Sequence, residues 1–278
     1  MTPSVFANRL LRAVLGFNVA CLGRLFDSGP RRFFRSCAWS YIAVRDIPSD
    51  GLALIPEVKL DEIMGERRPV IRMAVMRYEN GVLPKDDLLA LLSILVAEAP
   101  REVLEIGTFM GHTTLQMAEN MPEGTLHTVD LPEDFAFDSD PERRLPKDDL
   151  HLIERRVVGR EFKGQPCASR IRQHFGDTAS WNFAEAGRPT FFFIDGAHTY
   201  EYCKSDSEKC FALCGGRGVF LWHDCDDGHP GVVQFVNDWR SRGRDIKTIA
   251  GTSIAYWKSG EGQSQEPGVR SQVSQAEL

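Results

Sequence analysis

The sequence lacks the features that mark several common classes of protein. Its seven cysteines are an odd number at irregular spacings and include no Cys-x-x-Cys pair, which argues against a disulfide framework and favours reduced thiols in a cytoplasmic protein. No apolar run reaches the ~18–20 residues that span a bilayer. The net charge of −6 disfavours a surface that neutralises nucleic-acid phosphates.

Positive charge is concentrated near the N-terminus. Seven arginines and one aspartate occur up to Arg45, although the chain as a whole is acidic. The stretch "FANRLLRAVLGFNVACLGRLF" has apolar residues at near-helical spacing with arginines between them, which predicts a helix. We expect this helix to pack on the domain or on a second subunit, so that the protein is a homo-oligomer. Peripheral membrane contact and a targeting segment are the alternatives.

The chain divides into a core domain and extensions. Residues 1–80 are predicted to be a mostly helical extension that acts as a lid or an oligomer contact. Residues 81–258 have the regular pattern of a folded domain, interrupted by a charged, proline-containing insertion at 131–165. The polar tail at 259–278 has the composition of a disordered segment.

The core domain has the pattern of an α/β protein. The stretch "LPKDDLLALLSILVAEAP" predicts a helix that begins near Asp86 and Asp87 and ends before Pro100. Apolar runs then alternate with helical stretches: "EVLEIG", "TLHTVD", "RIRQHFGD", "TFFFID" and "GVFLWHD". This alternation predicts a doubly wound parallel sheet. The last two runs, "IKTIAG" and "SIAYWKS", are too close for a crossover helix and predict a hairpin with one antiparallel strand.

Acidic residues stand where five of these strands end, at the edge where ligands bind in an open parallel sheet. They are Glu105, Asp130, Asp177, Asp195 and Asp224. A phosphate site would not offer so many carboxylates. The pattern favours a ligand with hydroxyl groups and positive charge.

The first strand leads into a glycine turn that is not a phosphate loop. Gly107 and Gly111 are four residues apart, so neither the dinucleotide pattern GxGxxG nor a P-loop is present. S-adenosylmethionine (SAM) carries an ammonium and a sulfonium group, and both favour the acid at Glu105. Asp130 is placed to accept hydrogen bonds from ribose hydroxyls, and Asp177 to accept one from an adenine amino group.

The ordered series "VLEIGTFMGHTTL", "LHTVD", "FGDTA", "FFFIDGAHTYEYCKSD" and "GGRGVFLWHD" resembles the class I SAM-dependent methyltransferases. Within that class it is most similar to small-molecule O-methyltransferases of the catechol, caffeoyl-CoA and macrolide-sugar types. The resemblance covers roughly residues 85–258. It implies a Rossmann-like, seven-stranded sheet whose last strand is antiparallel. It also implies a cofactor site made of Glu105, Gly107, Thr108, Gly111, Thr113, Asp130, Asp177 and Asp195.

The same resemblance implies a reaction site at the next two strand ends. Asp195 matches a metal ligand of the metal-dependent relatives, and His198, three residues later, matches their general base. The catechol-type enzymes have Asp-Asn where this chain has His223 and Asp224, so the pair departs from the family pattern. Asp195, His223 and Asp224 are therefore the candidate ligands of a divalent metal, Mg²⁺ or Mn²⁺.

The expected reaction is methylation of a small-molecule hydroxyl, with His198 as the proton acceptor. An NAD-dependent oxidoreductase is the main alternative, although the glycine spacing and Glu105 count against it. A cofactor-binding protein without turnover is the second alternative. A hydrolase is disfavoured because no GxSxG elbow occurs, and a nucleic-acid methyltransferase because of the acidic balance.

Overall fold

The computed structural model describes residues 54–77, 81–135 and 156–260. The predicted N-terminal basic helix, most of the 131–165 insertion and nearly all of the polar tail lie outside these residues. In the part of the chain that is described, no helix is both long and apolar enough to cross a membrane.

The described residues form eight strands and five α-helices, connected in two places by short 3₁₀ helices. The strands are β1 (Glu57–Val58), β2 (Glu102–Ile106), β3 (Thr125–Asp130), β4 (Ile171–Phe175), β5 (Phe191–Ile194), β6 (Val219–Trp222), β7 (Lys247–Ile249) and β8 (Ala255–Lys258). The α-helices are α1 (Leu60–Met64), α2 (Lys85–Glu98), α3 (His112–Glu119), α4 (Tyr200–Leu213) and α5 (Pro230–Ser241). The 3₁₀ helices are Pro166–Arg170 and Phe183–Ala186.

All eight strands belong to one sheet with the order β1-β7-β8-β6-β5-β2-β3-β4. Every pair is parallel except those that involve β8, which is antiparallel to both β6 and β7. The predicted fold class and the terminal hairpin are therefore confirmed. The sheet has one strand more than the seven expected, because the two-residue β1 pairs with β7 and is too short to leave an apolar pattern in the sequence.

The sheet is covered by helices on both faces, and alternate residues of its central strands point to opposite sides. Phe191 and Phe193 belong to the core cluster that includes α2 and α3. Phe192 and Phe220 belong to the cluster that includes α4 and α5. Burial on both faces explains why these strands are continuously apolar in the sequence.

The chain before α2 is less helical than predicted wherever it is described. Within 54–77 the regular elements are β1 and α1, and the residues that follow have no regular secondary structure. Two side-chain amides, one in α3 and one directly after it, bind this backbone: Gln116 accepts from Ala74 N at 2.9 Å and Asn120 accepts from Arg72 N at 2.8 Å. The mostly helical extension over 1–80 stays a prediction, because 1–53 lie outside the described residues.

Candidate cofactor and metal site

A cavity of about 430 Å³ lies at the carboxyl ends of the parallel strands, the edge at which open α/β sheets bind ligands. Its volume falls within the usual range for small-molecule sites. Its wall includes residues from five strand ends and from the first turn of α4. The residues that line the cavity include Gly107, Phe109, Asp130, Arg156, Asp177, Asp195, His198, Tyr202, His223, Asp224 and His229.

Gly107 connects the two sides of this cavity. Its φ of 97° is in the left-handed region, and a Cβ added there would lie 2.0 Å from the backbone oxygen of Asp195. Asp195 N donates to Ile106 O at 2.8 Å, so the ends of β2 and β5 meet at this point. Glycine is required because no side chain fits between the two strand ends.

Asp130 ends β3 with its carboxylate largely bound by the protein itself. Phe109 N donates to Oδ2 at 2.6 Å, and Leu131 N and Arg156 Nη2 each donate to Oδ1 at 2.7 Å. Burial raises the pKa of Asp130 above its ordinary value, although Arg156 and the backbone hydrogen bonds oppose the shift. Oδ2 therefore has room for one further donor, such as a ribose hydroxyl.

Arg156 is a residue of this site that the sequence did not reveal, because the segment around it is charged and irregular. Its side chain is only 1% exposed. Besides Asp130, its Nη2 binds Leu131 O at 2.9 Å. In the described part of the chain, its Nε and Nη1 are buried without a hydrogen-bond partner.

Asp177 lies in the wall beyond β4, as expected of a residue that contacts adenine. Tyr202, in the first turn of α4, donates its hydroxyl to Asp177 Oδ1 at 3.1 Å. Ala179 N donates to the same oxygen at 2.9 Å. These two bonds hold one carboxylate oxygen and leave the other for a ligand.

Glu105 does not reach the cavity wall. It is completely buried beneath α3, where Oε2 accepts hydrogen bonds from Thr114 and Thr128 at 2.5 and 2.6 Å. Burial, opposed by these two bonds, raises the pKa of Glu105 to about 8. The role of Glu105 as the acid that faces the cofactor's ammonium group stays a prediction.

Three other residues of the expected cofactor set are also packed inside the protein. Thr108 lies 2.6 Å from Thr128, hydroxyl to hydroxyl. Gly111 precedes α3 with a φ of 83°, and a Cβ there would lie 2.6 Å from the Phe162 ring. Thr113 is buried within α3. Their positions suit the support of the turn, and their role as direct cofactor contacts stays a prediction.

The other half of the cavity brings histidines and aspartates together. His223 Nδ1 lies 3.1 Å from Asp195 Oδ1 and 3.3 Å from Asp224 Oδ1. His198 Nε2 lies 2.8 Å from Asp224 Oδ2 and 4.0 Å from Asp195 Oδ1. The structure thus places all four predicted reaction residues within one cluster. Asp224 has a φ of 56°, an unfavourable backbone conformation of the kind that concentrates at functional sites.

The charges in this cluster stabilise one another. Burial alone would raise the pKa of Asp195 and of Asp224, but the neighbouring histidines outweigh it and hold both below their ordinary values. Burial would also lower the pKa of His223, yet Asp195 and the other acids raise it well above its ordinary value.

His223 has a further acidic partner that the sequence analysis missed. Asp87 of α2 is 3% exposed, and its Oδ2 lies 3.0 Å from His223 Nε2. Ser253 donates to the same oxygen through its hydroxyl at 2.6 Å. The one signal in the sequence is that Asp87 falls among the apolar positions of an otherwise apolar helix, where a buried acid needs a polar partner.

His229 also lies in the cavity wall. Its Nδ1 is 2.9 Å from Asp226 Oδ1 and 3.7 Å from Asp224 Oδ1. Its ring centroid is 4.6 Å from that of His198. His112, in contrast, is buried in α3, where Nε2 contacts Val75 O at 3.1 Å.

The donor atoms fit a divalent metal. Within the described ranges, Asp195, His223 and Asp224 form one group whose ligand atoms lie within 4.8 Å of one another, and His198, Asp224 and His229 form a second. Three carboxylates, counting Asp87, surround His223, so the cluster keeps negative charge that a cation neutralises. Mixed imidazole and carboxylate ligands suit transition metals better than Mg²⁺.

Comparison with known proteins agrees with this geometry. Residues 104–225, which contain the turn after β2 and the strand ends through Asp224, match the family model of a methyltransferase domain. None of the proteins with curated functions matches the sequence.

Solved structures to which the chain is similar include methyltransferases at low identity. TomG, an O-methyltransferase of Streptomyces achromogenes involved in tomaymycin synthesis and solved with SAM, is 17% identical over 64% of this chain and 82% of its own (TM-score 0.45). A putative caffeoyl-CoA O-methyltransferase of Staphylococcus aureus is 14% identical over 64% and 85% (0.45). The methyltransferase PaMTH1 of Podospora anserina, solved with S-adenosylhomocysteine, is 14% identical over 84% and 98% (0.45).

The family match spans the motifs that lie at the strand ends, and the sheet carries them in the order expected of the class I enzymes. This part of the chain is therefore similar to a methyltransferase domain.

Proposed function

We propose that this protein transfers the methyl group of SAM to a hydroxyl group of a small-molecule acceptor, with a divalent metal and His198 assisting the transfer. The observation that carries the proposal is the continuity of the cavity. One wall holds Asp130 and Asp177, and the same space reaches Asp195, His198 and Asp224. A cofactor at the first group would direct its methyl towards the second.

The cofactor half supplies binding groups. Asp130 Oδ2 is available to a ribose hydroxyl and the second oxygen of Asp177 to the adenine amino group. The turn at Gly107 lets the backbone approach the cofactor closely. Holding the two reactants in line is itself worth about 7–11 kcal/mol of the barrier in favourable cases.

The acceptor half supplies a proton acceptor. The acceptor oxygen must lose its proton as it attacks the methyl group. Asp224 Oδ2 lies 2.8 Å from His198 Nε2 and stabilises the imidazolium that forms when His198 takes up this proton. Positioned proton transfer of this kind contributes about 10²–10⁴-fold to a rate.

Asp195, His223 and Asp224 would hold the metal. The chemistry that such a cation would supply is a lower pKa of the acceptor hydroxyl. The alternative of an NAD-dependent oxidoreductase has no specific feature of the cavity in its favour.

The first experiment is calorimetric titration of the protein with SAM, S-adenosylhomocysteine and NAD, in EDTA and in Mg²⁺ or Mn²⁺. We expect SAM and S-adenosylhomocysteine to bind and NAD not to bind. Transfer of a radiolabelled methyl group to a panel of catechol, sugar and polyketide hydroxyls then identifies the acceptor class. Binding of NAD without SAM would overturn the proposal.

The role of His198 is tested with His198→Asn against His127→Asn, a partly buried histidine on β3 away from the cavity wall. We expect the kcat of His198→Asn to fall about 10²–10⁴-fold while its Kd for SAM stays the same. His127→Asn should keep both. An unchanged kcat in His198→Asn would remove the histidine from the mechanism.

The acceptor, the homo-oligomer and the peripheral membrane contact remain proposals. The last two depend on the basic N-terminal segment, which lies outside the described residues. The cytoplasmic location is likewise a prediction from the cysteines.

A further inference from the structure

We infer that Asp87 is a positioning residue that makes His223 a nitrogen ligand of the metal and thereby favours Mn²⁺ over Mg²⁺ at this site. The inference rests on the metal-assisted function proposed above. It assigns a role to a residue of α2 that lies far along the chain from the other members of the site.

The first step of the argument is the position of Asp87. Its side chain is buried within a helix turn whose other inward residues are apolar, among them Leu88 and Leu91. A carboxylate in such a place is costly unless its oxygens are bonded. Oδ2 is bonded to His223 Nε2 and to the hydroxyl of Ser253.

The second step is the proton arrangement of the imidazole. A carboxylate accepts hydrogen bonds and, when ionised, donates none. Asp87 therefore requires a proton on His223 Nε2. As a metal ligand His223 keeps this proton on Nε2 and coordinates through Nδ1, the nitrogen on the side occupied by Asp195 and Asp224.

The third step is the spacing of the ligand atoms. Nδ1 is 3.1 Å from Asp195 Oδ1 and 3.3 Å from Asp224 Oδ1. Ligands bonded at about 2.0–2.2 Å and roughly at right angles lie about 3 Å apart. The distances therefore suit one nitrogen and two oxygens of a single coordination sphere. A carboxylate behind a ligating histidine is a recurrent arrangement that orients the ring and strengthens the ligand.

The consequence concerns the choice of metal. Mg²⁺ prefers oxygen ligands and gains little from an imidazole. Mn²⁺ and later transition metals accept imidazole nitrogen more readily. Weakening the Asp87–His223 contact should therefore reduce Mn²⁺ affinity more than Mg²⁺ affinity.

The experiment compares Asp87→Asn with the wild-type full chain. The amide keeps the size of the side chain but loses its charge. We measure the Kd of Mn²⁺ and of Mg²⁺ by calorimetry in saturating S-adenosylhomocysteine. Loss of such a partner typically reduces metal affinity about 10–100-fold, and we expect that reduction for Mn²⁺ with a clearly smaller one for Mg²⁺.

The matched control is Asp86→Asn. Asp86 is the exposed neighbour in the same helix turn, so the substitution removes the same charge from the start of α2 without touching His223. Both Kd values should stay at the wild-type level. A Kd for S-adenosylhomocysteine equal to that of the wild type shows that the cofactor half is folded in each variant.

A ratio of Mn²⁺ to Mg²⁺ affinity that is unchanged in Asp87→Asn would overturn the inference, because a purely structural role would reduce both affinities equally. A wild-type protein that binds neither metal would overturn it together with the metal-assisted part of the proposed function. A wild-type protein that fails to bind SAM would instead overturn the proposed function itself.

A second measurement reads the proton position in the wild-type protein and uses a variant only to assign the signal. Long-range ¹H–¹⁵N spectra of the wild-type protein with Zn²⁺, a diamagnetic probe that binds nitrogen, report which ring nitrogen carries the proton. His223→Gln identifies the signal. We expect the proton on Nε2 and a shifted, unprotonated Nδ1. A proton on Nδ1 in the metal-bound protein would contradict the inference.

Discussion

The two halves of the cavity are built on different physical principles. On the side of β3 and β4, Asp130 and Asp177 have oxygens that the protein already satisfies with backbone amides, a tyrosine hydroxyl and, at Asp130, the Arg156 guanidinium. On the side of β5 and β6, Asp195 and Asp224 instead face histidines at 2.8 to 4.0 Å. The first half is preorganised by hydrogen bonds from groups that do not change their charge near neutral pH, and the second by aspartates that face histidines.

This difference explains what each half can do. In the first half, fixed hydrogen bonds hold Asp130 and Asp177 so that their remaining carboxylate oxygens can accept from a neutral hydroxyl or amino group. Such a site binds a ligand without changing its own charge. Balanced charges can rearrange when a proton or a metal arrives, which suits the chemical step. If the comparison is right, substitutions should affect cofactor binding and metal binding separately, except at the residue that joins the halves.

Gly107 is that residue, and the largest effect is expected from Gly107→Ala. A methyl group would overlap the backbone oxygen of Asp195 at 2.0 Å, and the left-handed φ adds strain. We expect a loss of several kcal/mol in the free energy of unfolding, measured by urea denaturation, with weaker binding of both SAM and metal.

The control for this prediction is Gly243→Ala. Gly243 has a similar φ of 89°, but nothing lies within 4 Å of an added Cβ. Its cost should be limited to about 1–2 kcal/mol of backbone strain. Equal losses in the two variants would show that the β2 and β5 ends can separate, and that the halves are less tightly joined than the structure indicates.

The second largest effect is expected at Glu105, which is buried without a charged partner, unlike the aspartates of the charged half. Its pKa is about 8 in the folded protein against an ordinary value of 4.5. The folded state therefore binds this proton more tightly than the unfolded state does. The resulting stability is fully present below about pH 4.5 and is lost as the pH rises through about 8.

We expect Glu105→Gln to remove this pH-dependent loss in the free energy of unfolding, which is on the order of a few kcal/mol. Urea denaturation at pH 5.5 and pH 8 should show a decline for the wild type that the variant lacks. Glu123→Gln, at an exposed loop position, should behave as the wild type does. A wild-type decline that persists in Glu105→Gln would mean that another group carries it.

The smallest of the three effects, and the most direct test of the comparison, comes from Asp130→Asn. Loss of charge-assisted hydrogen bonds costs about 1.5–3 kcal/mol, so the Kd of SAM should rise about 10–100-fold. The Kd of Mn²⁺ should not change. Calorimetry measures both.

Asp224→Asn is the converse experiment, in which the metal half is changed and the cofactor half is not. It should weaken Mn²⁺ binding and leave the Kd of SAM within about twofold, because Asp224 belongs to the charged half. If each of these two substitutions weakens both ligands to the same extent, the division of the cavity into two halves is wrong.

Much of this architecture could be predicted from local patterns in the sequence. Continuous apolar runs such as "TFFFID" predict strands buried on both faces, and the structure confirms them. The short spacing before β8 predicts the antiparallel hairpin. Because parallel strands end at one edge of a sheet, the acids that follow them were also expected to meet there, as Asp195 and Asp224 do.

The sequence could not show which face of a strand or turn is covered by the rest of the protein. Glu105 occupies a strand-end position like the other acids, but it points beneath α3, where Thr114 and Thr128 hold it. At Gly111 an added Cβ would meet the ring of Phe162. Neither outcome leaves a periodic signal in the chain.

The sequence alone determined the alternation of strands and helices, the glycine at the turn after β2 and the row of acids at the strand ends, because these depend on neighbours within a few residues. Tertiary structure alone decided that Asp87 and His223, 136 residues apart, share a hydrogen bond. Such a contact depends on how α2 packs against the sheet. The packing arises from the shapes and burial of many side chains together, and no local pattern encodes it.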